Sequence, residues 1–167
     1  NRQQQKENKQ TMSKDINSIA IPYGTYGFGI LTATRDLSQD KGKGRRAMVI
    51  VEIEAQDNKP VAIDGEERDI NGLKFKVWLM ADTEGKNYST GLNAMLRGVG
   101  APVVEDGEEN AFDEQTLVGL DLKGNMKCEL HEQINEATGE VMTNPFTDEP
   151  DTFVRRELKK IYARPTA

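Results

Sequence analysis

The chain has very few cysteines and histidines, the residue types on which many secreted proteins and enzymes depend. Its 167 residues include one cysteine, Cys128, and one histidine, His131. A single cysteine excludes an intrachain disulfide, and nothing else in the sequence requires an oxidising compartment. No apolar run is long enough to span a bilayer, and no signal-peptide core is present. These absences predict a soluble protein that stays inside the cell and has no membrane partner.

The same scarcity argues against catalysis. Cys128 and His131 lie three residues apart in a segment that alternates like a strand, so their side chains would point to opposite faces. They therefore cannot form a Cys–His pair or bind one metal ion together. The acidic clusters lie in Gly- and Pro-rich loops, without the spacing of a calcium loop or the order of a metal-dependent nuclease. We predict a protein that is not an enzyme and holds no metal or cofactor.

Composition predicts one modest domain with polar appendages. Hydrophobic residues make up 36% of the chain and charged residues 30%, so the core is small for the length. The opening NRQQQKENKQT contains no apolar side chain, and Met12 has the character of a natural start. We predict a disordered tail at residues 1–15 and a single domain at residues 16–167. The net charge of -6 argues against nucleic-acid binding through overall charge but allows a local basic surface.

Hydrophobic periodicity predicts a mainly β chain. Strand-like alternation runs through residues 23–36, 47–55, 71–82 and 120–135, with a short edge strand at 61–63. The segment NYSTGLNAMLRGVGAP has apolar side chains at helical spacing and ends in Gly and Pro, so it predicts a short helix. FDEQTLVG predicts a helical turn. Residues 136–151 are predicted as a long loop, no internal repeat is visible, and residues 152–165 fit either a helix or a strand.

The stretch YGTYGFG, residues 23–29, contains three glycines in the order G-x-x-G-x-G. A phosphate loop needs a different spacing and a following helix, so this stretch is not predicted to hold phosphate. Period-two alternation instead predicts a strand with two unlike faces. One face holds Tyr26, Phe28, Ile30 and Thr32, and the other holds Thr25, Gly27, Gly29 and Leu31. Glycines on one face of a strand indicate a bend or a close approach of another backbone or a ligand.

The strand at residues 71–82 carries the most informative surface. Alternation places Lys74, Lys76 and Trp78 on one face, and on the other Leu73, Phe75, Val77 and Leu79. Single-stranded nucleic acid binds such a mixture, because phosphates need cations and unstacked bases need flat apolar partners. The alternative is that Trp78 packs against the helix and the two lysines are ordinary surface residues. Both interpretations remain open on this strand alone.

Two further groups of cations favour the first interpretation. KGKGRR, residues 41–46, lies between the first two strands, where a hairpin tip is predicted. The second group, near the C-terminus, consists of Arg155, Arg156, Lys159, Lys160 and Arg164. An acidic chain that gathers its cations in this way has segregated its charge, and segregated cations indicate a groove for a polyanion.

The order of elements is three strands, a helix and two further strands, which is that of a five-stranded Greek-key oligonucleotide-binding (OB) barrel. The sequence resembles phage-encoded single-stranded-DNA-binding proteins of that fold. The resemblance lies in PYGTYGFGILTA, NAMLRGVGAP, FDEQTLVGLDLKGNMKCEL and RRELKKIYARP, and it covers most of residues 21–165. It implies a mainly β, OB-type barrel with one or two short helices, in which residues 152–165 are the closing strand.

The resemblance also implies sequence-tolerant binding of single-stranded DNA in phage DNA replication or recombination, in the cytoplasm of the bacterial host. Replication or recombination proteins are the further partners it implies, and the preference for DNA over RNA stays open. The expected stacking residue is Trp78, with Tyr26, Phe28 and Tyr88 as further candidates. The expected phosphate contacts are Lys41, Lys43, Arg45, Arg46, Lys74 and Lys76. The glycines of YGTYGFG are expected to let the barrel close and a nucleotide approach.

The rival hypothesis is a non-enzymatic phage structural or protein-interaction domain whose acidic loops face a partner.

Overall fold

The computed structural model describes residues 15–37, 47–80, 91–104 and 112–165. Nearly all of the predicted tail, the KGKGRR group and Tyr88 lie outside these residues. The described elements, in chain order, are a 3₁₀ turn Ile16–Ser18, β1 Gly24–Leu37, β2 Ala47–Ala55, β3 Val61–Ile63, β4 Glu66–Arg68, β5 Lys74–Met80, helix α1 Leu92–Val99, a 3₁₀ turn Glu114–Leu117, β6 Asp121–Glu132 and β7 Thr152–Ile161.

The five long strands form one antiparallel sheet in the order β5-β2-β1-β6-β7, which is nearly closed as a barrel. The other two strands, β3 and β4, form a small separate hairpin. The helix α1 lies between the third and fourth barrel strands in the sequence, as in an OB-type Greek-key barrel. The predicted fold class is confirmed. The ambiguous C-terminal segment is a strand over Thr152–Ile161.

Large apolar side chains from distant parts of the sheet meet in one core. Phe28 of β1 and Phe75 of β5 pack edge to face, with ring centroids 5.7 Å apart. The helix α1 packs against β6 and β7 and buries the side chains that its spacing predicts, namely Leu92, Met95, Leu96 and Val99. Asn93 is buried beside them. Its side-chain amide accepts a hydrogen bond from the Val104 N–H at 2.8 Å and donates one to the Val104 carbonyl at 3.0 Å. This pairing satisfies the buried amide and holds the segment that follows the helix.

A β-bulge in β1 changes the faces that simple alternation predicts. Ile30 pairs with Ile53, and Thr32 pairs with Glu52, so Leu31 is an extra residue with no opposite partner on β2. The alternation shifts by one residue at this point, so that Ile30 is buried and Thr32 is exposed. The prediction that Ile30 and Thr32 share a face is therefore wrong, because it assumed an uninterrupted strand.

The glycines of β1 make room for the segment that follows β2. The Asn58 side chain accepts from the Gly27 N–H at 2.8 Å and donates to its carbonyl at 3.0 Å. A Cβ on Gly27 would lie 2.9 Å from the Gln56 carbonyl oxygen, and a Cβ on Gly29 would overlap the Gln56 side chain. Protein atoms therefore fill the space on the side of Gly27 and Gly29 where a side chain would stand.

We expect Gly27→Ala to lower the free energy of unfolding by about 1–3 kcal/mol, because the new methyl group would press on a backbone carbonyl. Gly29→Ala is the matched control. Its methyl group meets the end of the flexible Gln56 side chain, which can turn away, so the expected loss is under about 1 kcal/mol. Chemical denaturation compares the two variants. If both variants lost the same free energy of unfolding, the proposed packing of residues 56–58 over β1 would be contradicted.

Candidate nucleic-acid interface

The outer face of β5 carries the predicted basic and aromatic side chains. Trp78 is 60% exposed, and Lys74 and Lys76 are exposed beside it, while Leu73 and Leu79 are buried on the opposite face. The predicted assignment of the two faces is confirmed, and the alternative of a tryptophan packed against the helix is wrong. In OB barrels the face formed by the second and third barrel strands, here β2 and β5, binds oligonucleotides.

The neighbouring strand β2 changes the charge of this face. Antiparallel pairing places Glu54 opposite Lys74, Glu52 opposite Lys76 and Ile50 opposite Trp78. The Lys74 ammonium lies 3.8 Å from a Glu54 carboxylate oxygen. The described part of the face is thus aromatic with balanced charge rather than basic. The pattern of β5 alone gives no sign of these glutamates, because a sheet face is shared by cross-strand neighbours.

The remaining predicted phosphate contacts, Lys41, Lys43, Arg45 and Arg46, lie outside the described residues. The points where their connector joins the sheet are nevertheless defined. It follows Leu37 at the end of β1 and precedes Ala47 at the start of β2, and these two residues pair with each other. Ile50, the partner of Trp78, lies three residues after Ala47. The connector is therefore attached to the same end of the sheet as the exposed indole.

Tyr26 and Phe28 are core residues, so the prediction that they stack on bases is wrong. Phe28 is 1% exposed and Tyr26 is 9% exposed. The Tyr26 hydroxyl donates to the Pro22 carbonyl at 2.7 Å, and burial, with a smaller effect of nearby Cys128, raises the pKa of this hydroxyl. The sequence itself contains a pattern that indicates the burial of these two aromatic side chains. The opposite face of the strand holds glycine and threonine, which cannot fill a core, so the aromatic face has to turn inward.

The C-terminal group of cations is divided among separate partners. Arg155 and Lys159 both pair with Glu157, and the hydrogen bond from Lys159 lowers the pKa of that carboxyl. Arg156 donates to the Cys128 sulfur at 3.0 Å and to two carbonyls of the first 3₁₀ turn at 3.0 and 3.1 Å. Arg156 therefore anchors the start of the domain to β6 and β7 instead of facing a polyanion.

The last two members of that group also have partners. Arg164 pairs with Asp121 at 3.1 Å, and the Lys160 ammonium lies 4.8 Å from the centre of the Tyr162 ring. The hydroxyl of Tyr162 is hydrogen-bonded by Thr25 and Asn125, which lowers its pKa. The cluster that looks basic in the sequence is thus divided among several local contacts.

Strands β6 and β7 extend beyond the barrel. Gly24, the first residue of β1, pairs with Met126, so in the described structure β6 pairs only with β7 from residue 127 onward. Past the ends of these strands, two isolated bridges, Ile134 with Val141 and Thr143 with Pro150, each close one turn. We name residues 130–153 the arm. Its tip was predicted as a long loop, and within that loop the chain forms two turns held by backbone hydrogen bonds.

Two turns with one sequence pattern shape the tip of the arm. Residues 135–140, NEATGE, and residues 144–149, NPFTDE, share N-x-x-T-[GD]-E. In each turn the asparagine side chain accepts from the N–H two residues later, at 2.9 and 2.8 Å. The N–H of the fifth residue donates to the asparagine carbonyl, at 2.7 and 2.9 Å. That fifth residue, Gly139 or Asp148, has a positive φ and so adopts the left-handed backbone conformation. The two turns are therefore a short internal repeat of six residues, which the prediction of a chain without repeats did not include.

The arm differs from the rest of the chain in exposure and in charge. Ten large apolar side chains are exposed in the described residues, and six of them lie in the arm: Leu130, Ile134, Val141, Met142, Phe146 and Phe153. The arm also contains six carboxylates and no lysine or arginine. The chain has 28 acidic and 22 basic residues, so outside the arm 22 acidic residues balance 22 basic ones. The net charge of -6 therefore resides in the arm.

The barrel topology and the exposed face together define a class of domain. The described chain is an OB-type β-barrel with a long arm between its last two strands. Within the described ranges, no group of three or more His, Cys, Asp or Glu side chains could hold a metal ion, and no helix is long and apolar enough to cross a membrane. No protein-family model matches the sequence, and no curated protein shows significant sequence similarity to it.

Proposed function

We propose that this protein binds single-stranded DNA without marked sequence preference. The observation that carries the proposal is the exposed indole of Trp78 on the β2–β5 face, which is the face that OB barrels use for oligonucleotides. Every base has a flat π-face, so a stacking indole binds single strands of any sequence. The buried aromatics of β1 leave Trp78 as the stacking residue among the described candidates.

The acidity of the chain does not oppose this function, because the net negative charge resides in the arm. In the proposed complex, the phosphates contact Lys41, Lys43, Arg45 and Arg46 of the connector that joins β1 to β2. Lys76 adds to them from the sheet. Lys74 contributes less, since the nearby Glu54 carboxylate offsets its charge.

The biological role follows from the resemblance to phage single-stranded-DNA-binding proteins. On that basis the protein acts in phage DNA replication or recombination, in the cytoplasm of the bacterial host. It acts by binding, without catalysis and without a cofactor. Replication or recombination proteins are its expected partners besides the nucleic acid.

We expect the affinity for single strands to fall with salt, with a log-log slope of about -0.7 for each phosphate contact. Replacing Arg45 and Arg46 together by alanine should weaken binding to oligo-dT, oligo-dC and oligo-dA about equally, because phosphate contacts carry no sequence information. The slope should become shallower by about 1.4, since two contacts are lost. Fluorescence titrations over a series of salt concentrations measure both quantities.

The matched control removes two cations that already have a partner. Arg155 and Lys159 both pair with Glu157, so replacing them together by alanine should leave the affinity and the salt slope nearly unchanged. An affinity independent of salt, or a loss confined to one base, would contradict the phosphate contacts. Absence of binding to DNA and RNA oligonucleotides at low salt would favour the rival hypothesis of a protein-interaction domain.

A further inference from the structure

Phe146 has no structural role in its own turn. It is 94% exposed, the highest value among the exposed large apolar residues that the structure describes. The twin turn has Ala137 at the same position and forms the same hydrogen bonds, so the turn does not need an aromatic side chain there. A large apolar group that local structure does not require, held by a hydrogen-bonded turn, has the properties of an interface anchor.

Other apolar side chains accompany Phe146 on the arm. Ile134 and Val141 form a cross-strand bridge and are both exposed, and Met142 follows directly. Aromatic residues and methionine are enriched in protein interfaces relative to the rest of the surface. Concentrated exposed apolar side chains on a soluble domain mark a site of interaction.

The charge of the arm identifies the kind of occupant. Six carboxylates without a lysine or arginine repel the phosphates of nucleic acid, and two such arms repel each other. None of the six forms an ion pair with another described residue. A protein surface that combines lysine or arginine with apolar side chains complements the arm in both respects.

We propose that the arm docks a second, different protein through a surface that is basic and apolar, with Phe146 as its anchor. The proposal goes beyond nucleic-acid binding and does not depend on it. The two sites lie on different strands, with Trp78 on β5 and the arm between β6 and β7. A protein with this arrangement holds a partner while the β2–β5 face stays free.

The test uses the full chain and three labelled peptides of equal length as probes. One peptide alternates lysine and leucine, the second glutamate and leucine, and the third lysine and serine. Fluorescence anisotropy, measured without DNA, should show that the first peptide binds at least about ten-fold more tightly than either of the others, because only it offers both cations and apolar side chains.

Two variants locate the binding on the arm. Phe146→Ala should weaken binding of the lysine–leucine peptide by about ten-fold or more, and it should fold normally because Ala137 is tolerated in the twin turn. Binding of the lysine–leucine peptide should be weakened to a similar extent by the triple variant Glu136→Gln, Glu140→Gln and Glu149→Gln. The matched control changes three carboxylates of the β3–β4 hairpin, Asp64→Asn, Glu66→Gln and Glu67→Gln, and should bind like the parent.

The possible results separate the occupants of the arm. Equal weakening by the arm and hairpin variants would overturn the proposal, since it would show attraction to net charge alone. So would a Phe146→Ala variant that loses affinity for oligonucleotides but not for the peptide, because the arm would then belong to the nucleic-acid site. Sedimentation that reveals self-association abolished by Phe146→Ala would make the occupant a second copy of this chain, which also contradicts the proposal. A failure of DNA binding leaves these peptide measurements unaffected.

Discussion

Replacing Trp78 with alanine is expected to weaken binding to single-stranded DNA by roughly 1–3 kcal/mol while the melting temperature stays near that of the parent. The indole is mostly exposed, so its removal leaves no cavity, and the protein loses only the surface on which a base stacks. Anisotropy of a labelled oligonucleotide gives the affinity. Circular dichroism against temperature gives the stability.

The sequence offers a direct readout of this contact. Trp78 is the only tryptophan, so quenching of the intrinsic fluorescence by an oligonucleotide reports on this position alone. Trp78→Tyr is the control, because it keeps an aromatic face at the same site and should retain most of the affinity. Parent-like binding by Trp78→Ala, with no quenching in the parent, would mean that single strands do not use the β2–β5 face.

Phe28→Ala should have the opposite effect and lower the free energy of unfolding by about 3–5 kcal/mol. Phe28 is buried and packs edge to face on Phe75, so its removal leaves a cavity between β1 and β5. Since whole domains are stable by about 5–15 kcal/mol, the variant should stay folded at low temperature but melt much earlier. Its affinity for DNA, measured where it is folded, should match that of the parent.

Phe28→Leu provides the control for this cavity, because leucine fills part of the volume and should cause a smaller loss. Chemical denaturation ranks the parent and the two variants by free energy of unfolding. A Phe28→Ala protein with parent-like stability and weakened binding would contradict the core position of this ring. Together, the substitutions at Trp78 and Phe28 separate an aromatic available to a ligand from one that supports the barrel.

Much of the barrel could be predicted from the sequence, because periodicity within one element decides it. Alternation in β5 is enough to place Trp78 outside and Leu79 inside, and helical spacing is enough to place Leu92 and Met95 in the core. The order of these elements is enough to suggest an OB-type barrel. None of these conclusions requires knowledge of a neighbouring strand.

The candidate site depends on contacts that the sequence does not show. Glu54 faces Lys74 because β2 and β5 pair in one particular register, and a shift by one residue would turn the glutamate to the other side. Arg156 belongs to a basic cluster in the sequence, but the fold brings the first 3₁₀ turn and Cys128 to its guanidinium. A charged residue therefore has no predictable partner until the segments are packed.

The sequence by itself determined the alternation of β5, the buried side of the helix and the order of the elements along the chain, since both periodicities follow from backbone geometry over a few residues. Tertiary structure decided where β1 changes face, at the bulge of Leu31, and what fills the space over Gly27. These features depend on register and close packing between segments far apart in the chain, which local patterns do not encode.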